Sequence, residues 1–145
     1  MTDLTDITNL RADVARLRLL GADRVLALST DTLADCYNGT GPEFLHQRIR
    51  KKLDSVCRPL LPSVMVHDVD FDRSDGTVFS FRSANRRLLI NCIICACDAH
   101  PWYSWRRYVL ILEAWTIYRA CAKFGWIAWL LAYNKNTQKK GTTNE

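Results

Sequence analysis

The chain has 145 residues, of which 48% are hydrophobic and 24% charged, with a formal net charge of +5. That is the size and balance of one domain around a single core. A disulfide framework is excluded, because Cys36, Cys57, Cys92, Cys95, Cys97 and Cys121 are unevenly spread and fall mostly in apolar helical runs, as reduced core cysteines do.

The first residues, Met1 to Asp6, are acidic with no apolar core behind them, so no cleavable signal is visible and a cytoplasmic location is expected, with a peripheral membrane or virion-associated one as the alternatives. Leu4, Ile7, Leu10, Val14 and Leu17 recur at alternating three- and four-residue spacing, a seam about two heptads long. Two heptads are marginal alone in water, so this helix either docks on the domain or makes a homo-oligomer by pairing with its copy. Gly21 is placed at its end, and Asp23 to Leu33 are expected to form a second short helix.

Tyr37-Asn38-Gly39-Thr40-Gly41-Pro42 comes next. Gly39 and Gly41 permit backbone conformations closed to other residues, so successive carbonyls can turn towards one point. Calcium takes about six to eight oxygens, many of them carbonyls, so such a loop plus one carboxylate can form a site. After Pro42, Phe44, Ile49 and Leu53 line one side of a helical pattern, with His46 as a surface residue. Arg48, Arg50, Lys51 and Lys52 line the other. This is either a solvated helix face or a surface for anionic headgroups.

Pro62 and Ser63 read as a helix opening, with Ser63 as the cap. On that helix Val64, His67 and Phe71 share a stripe, and Asp68 succeeds His67 at about a 100° rotation. An imidazole serves as a base near neutral pH and a carboxylate holds a hard cation. The same pair also reads as a partly buried histidine beside a solvated aspartate.

Asp75-Gly76 is a turn signal, and Thr77 to Phe81 is read as a short extended piece. From Arg82 the pattern is helical, with Asn85, Leu88, Leu89, Cys92 and Ala96 on one face. Two helices joined by this turn can run antiparallel and bring Asn85 opposite His67. The cluster Cys92, Cys95, Cys97 and His100 is not expected to bind zinc, since these spacings on one helix do not converge tetrahedrally. Pro101 breaks the chain before its most apolar part, Tyr108 to Tyr133. Glu113, Thr116, Arg119 and Lys123 fall roughly along one stripe of it, and the run from Phe124 to Tyr133 is too short to cross a bilayer. This helix is therefore either the central core element or one lying in a membrane interface. Asn134 to Glu145 reads as a polar, frayed tail.

Tyr37-x-Gly39-x-Gly41 together with His67-Asp68-x-x-Phe71 resembles the calcium loop and catalytic helix of secreted and viral phospholipases A2. The viral form, a domain of parvovirus capsid proteins, is more similar. It too lacks the disulfides, and it has a glycine turn and an Ala-Asp helix after its His-Asp, where this chain has Gly76 and Ala84-Asn85. The resemblance covers roughly residues 35 to 92. It implies a mainly α, small single-domain helical bundle with an antiparallel helix pair and little or no β. N-terminal helices would span 1–34, the helical core 35–133 and the tail 134–145. It also implies a calcium-dependent lipid hydrolase, virus- or phage-encoded, acting at a phospholipid membrane surface, with no nucleic acid partner. His67 would be the base and Asn85 would stand where the family has the aspartate that orients it. Ca2+ would sit on Asp68 and the carbonyls of Tyr37, Gly39 and Gly41, and Arg48, Arg50, Lys51 and Lys52 would meet headgroups. Phe71 departs from the usual tyrosine and Asn85 from the usual aspartate. A rival expectation is therefore a weak or inactive member acting as a membrane- or protein-binding module.

Overall fold

The structure, a computed structural model, describes residues 4–37 and 57–141. Among them are six α-helices and no strand. In chain order these are α1 (Leu4–Arg16), α2 (Ala22–Leu26), α3 (Thr30–Cys36), α4 (Leu61–Asp72), α5 (Val78–Ala99) and α6 (Trp105–Gly141). A single 3-10 turn, Arg58–Leu60, leads into α4. The chain is thus mainly α, in the single-domain class expected of it.

The apolar seam of α1 is docked within the chain. Ile7 and Val14 are fully buried in the core with Val25, Leu33, Met65 and Leu88, while Leu4 stays exposed. This helix stops at Arg16, five residues before Gly21. Gly21 instead sits just ahead of α2 in the left-handed region at φ 84°, a conformation glycine adopts without penalty. The stretch read as one helix from Asp23 to Leu33 is two, because Ser29 adopts extended backbone and its hydroxyl accepts from the Thr32 N–H, starting α3 afresh.

Helix α4 begins at Leu61 with Pro62 in its first turn, and Ser63 is not the cap. The Ser63 hydroxyl donates back to Leu60 O of the 3-10 turn at 2.6 Å and lies 2.9 Å from Cys92 Sγ. Helices α4 and α5 run antiparallel, as their contacts show: Ser63 meets Cys92, His67 meets Asn85 and Phe71 meets Phe81.

Thr77 to Phe81 is not extended. Asp75 accepts from the Thr77 N–H and from the Thr77 and Ser80 hydroxyls, and the Thr77 hydroxyl accepts from Ser80 N. That capping network overrides the β-preference of Val78 and Phe79 and opens α5. Its hydrogen bonds, those from Ser80 foremost, hold the Asp75 carboxyl below its usual range.

Helix α6 packs back along α5. Its buried residues Leu110, Ala114 and Trp129 face the bundle, and the helix continues through the residues read as a tail as far as Gly141. It is both a core element and an exposed one, for Leu112, Phe124, Ile127 and Leu131 remain open to solvent. Among the described residues, no helix is long and apolar enough to cross a membrane.

Candidate functional site

His67 sits in the middle of α4, 7% exposed, facing α5. Its Nε2 lies 3.0 Å from Asn85 Oδ1. Asn85 is itself buried, and its Nδ2 donates to Phe81 O at 3.1 Å, one turn back along α5. A carbonyl oxygen only accepts, so this bond fixes which end of the amide is nitrogen and leaves the oxygen towards His67. Nε2 therefore carries the hydrogen and donates, and Nδ1 keeps its lone pair. Burial pushes the imidazole pKa below its ordinary 6.5, against the opposing pull of the Asn85 bond. At neutral pH the ring is neutral, with Nδ1 an acceptor.

Aromatic rings wall this histidine. Phe71, one turn on, lies against it with centroids 4.4 Å apart and the rings tilted by 41°, and Trp129 of α6 meets Phe71 edge-on at 5.0 Å. Phe81 completes the group with Trp126 and Trp129 at 5.3 and 5.9 Å. The tip of the Phe71 ring is directed at α6, where a Cβ on Gly125 would stand 3.4 Å away. A tyrosine hydroxyl here would face α6.

Asp68 is half-buried. Burial raises the Cys121 thiol of α6 to about 11, and the charge of Asp68 adds to the rise. Tyr37 is buried at the end of α3 in extended backbone. The preceding Cys36 is raised to about 11 by burial and by the nearby Asp72 carboxylate. Asp72 and Asp68 are one turn apart on α4. Gly39 and Gly41 lie outside the described residues, as do His46, Arg48, Arg50, Lys51 and Lys52. Among the described residues, no group of three or more histidine, cysteine or acidic side chains is arranged to hold a metal. The Asp68 carboxylate and the Tyr37 carbonyl are oxygen donors of the kind calcium takes. Cys92 and Cys95 are core thiols, raised by burial to about 11 and about 12, and Cys97 Sγ is 2.6 Å from Arg107 Nη2.

Two polar anchors escaped the sequence reading. The Asp70 side chain, 1% exposed, accepts from Arg24 Nη1 at 2.6 Å and from Arg87 Nε at 2.9 Å, tying α2, α4 and α5 together one turn from His67. Asn91 accepts from Leu20 N at 2.8 Å and donates to Leu20 O at 3.0 Å, satisfying both backbone groups of one residue before α2. The only signal for Asp70 was its four-residue spacing from Val66, which places it on an inward stripe. Nothing in the sequence marked Asn91 apart from other helical asparagines.

Comparison with family models, curated proteins and solved structures found no match to the chain.

Proposed function

We propose that this protein is a calcium-dependent, phospholipase A2-like lipid-ester hydrolase in which His67 is the base. The observation that carries the reading is the His67–Asn85 hydrogen bond, which puts the imidazole in the tautomer a base requires. Nδ1 accepts a proton from a water attacking an ester carbonyl, while Nε2–H keeps the ring oriented. Asn85 is a positioning residue. In a serine-protease triad, exchange of the aspartate for asparagine lowers the rate by about 10⁴ because the histidine is held in the wrong tautomer. Here the Phe81 carbonyl turns the amide so that the tautomer is right, and only the carboxylate charge that would stabilise the imidazolium is missing. Phe71, Phe81, Trp126 and Trp129 make that side of the histidine apolar.

Asp68, with the carbonyls of Tyr37, Gly39 and Gly41, would hold Ca2+, which when bound polarises an ester carbonyl and stabilises negative charge on its oxygen. A calorimetric calcium titration of the natural protein and of Asp68→Asn tests this reading. The natural protein is expected to bind and the variant to lose at least about tenfold in affinity; equal behaviour of the two removes Asp68 from the site. A second reading, a lipid- or protein-binding scaffold without turnover, is favoured by the depth of His67 and by Phe71 in place of tyrosine.

A further inference from the structure

Tyr108, Leu112, Trp115, Arg119, Lys123, Ile127 and Leu131 succeed one another along α6 at three- or four-residue spacing, and every one is exposed. Leu112 is 68% exposed, Ile127 70% and Leu131 63%, values far from those of a helix packed on its own domain. The stripe runs for about 35 Å at the usual helical rise. A surface groove of about 590 Å³ opens at its middle, lined by Trp115, Tyr118, Arg119, Lys123 and Phe124. Its aromatic residues pair with one another and with the cations. Trp115 meets Tyr118 edge-on at 5.8 Å, and Lys123 Nζ stands 5.3 Å from the Phe124 ring.

The charge of this helix says what the face is for. Between Trp105 and Gly141 there are seven basic residues and a single acid, Glu113. Glu113 is half-buried, and its burial raises its pKa. The exposed face thus combines apolar and aromatic side chains with uncompensated positive charge. A second copy of the chain is a poor occupant, because an antiparallel pairing centred on the groove would set Arg119 against the copy's Lys123 and Lys123 against its Arg119, like charges facing each other. An acyl and headgroup boundary is a good one. Aromatic residues with a polar edge favour that level, apolar residues enter beneath it, and lysine and arginine meet the phosphates. With no helix able to cross a bilayer among the described residues, the helix would lie along the surface.

We infer that the exposed face of α6 is a docking surface for an anionic phospholipid bilayer. It lies outside the stretch that carries His67 and does not rest on hydrolysis. The test is co-sedimentation of the full chain with vesicles in EDTA, where calcium-dependent turnover is silent. Phosphatidylcholine vesicles containing roughly one-third phosphatidylglycerol are compared with phosphatidylcholine alone. Binding to the anionic vesicles is expected to be at least about tenfold stronger, and to fall at least about tenfold in Arg119→Gln/Lys123→Gln. Leu112→Ser/Ile127→Ser is expected to bind weakly too, while His67→Gln binds like the natural protein. Leu112, Arg119, Lys123 and Ile127 are exposed, so their variants should stay folded by circular dichroism. Equal binding to both vesicles, or no effect of the Arg119 and Lys123 exchange, overturns the inference. So does self-association of the free protein that disappears in Leu112→Ser/Ile127→Ser.

Discussion

Asn85 spans two groups of different kinds: the imidazole N–H of His67 needs an oxygen opposite it, and the Phe81 carbonyl needs a donor. In Asn85→Asp a carboxylate oxygen would face that carbonyl at about the same separation. The variant should therefore lose about 1–3 kcal/mol of stability by denaturant titration, while the His67 pKa tracked by NMR rises towards or beyond its ordinary value. That the two residues would meet was legible, because both lie on helix faces joined by a short turn. The orientation of the amide was not, since it depends on a backbone carbonyl that no side-chain pattern reports. His67 also links stability to pH. Its folded pKa is depressed, so the unfolded chain takes up the proton first as the pH falls. Stability present above pH 6.5 should be lost progressively below it, until the pH reaches the folded pKa. Asp75 and Asp98, both depressed, add a loss of the same sign only below about their ordinary 3.8. His67→Gln should flatten the slope just below pH 6.5 and leave the lower one.

The helices are held in register by a few polar contacts as well as by their apolar faces. Asp70→Ala leaves Arg24 and Arg87, both partly solvated, without their shared carboxylate, and is expected to remove about 1.5–3 kcal/mol. Arg24→Ala should remove much less, since Arg24 is partly solvated and Arg87 still meets the carboxylate. The turn between α4 and α5 has a separate requirement. Gly76 is at φ 74°, and a Cβ there would stand 2.9 Å from Tyr133 Cγ of α6. Gly76→Ala is expected to cost about 1–2 kcal/mol from the left-handed backbone alone, and more from the ring. Adding Tyr133→Ala should recover only the second part, a difference that thermal melts of the single and double variants resolve. The sequence marked this turn correctly through Asp75-Gly76. The next residues were misread as extended, because Thr77, Val78 and Phe79 have strand preferences that the Asp75 and Thr77 caps override. The seam of α1 was legible as apolar, and its burial on α3 and α4 agrees with its length: two heptads find a partner within the chain.

At the scale of the whole molecule, the helical class and the antiparallel α4–α5 pair were legible from apolar periodicity. The course of α6 was not. Its apolar residues surround the helix, so their spacing alone cannot say which side meets α5. The outcome is a helix with Leu110, Ala114 and Trp129 inward and an aromatic, basic face outward. The central claim is that His67, held in its base tautomer by Asn85 and set beside Asp68, hydrolyses lipid esters with calcium. The most direct measurement is the release of fatty acid from phosphatidylglycerol-containing vesicles by the natural protein, His67→Gln and Asp68→Asn, each with calcium and with EDTA. Release is expected from the natural protein in calcium alone, reduced at least about a hundredfold in either folded variant, as removal of a general base requires. Release that survives EDTA or His67→Gln, or no release from a protein that binds both calcium and vesicles, would contradict the claim.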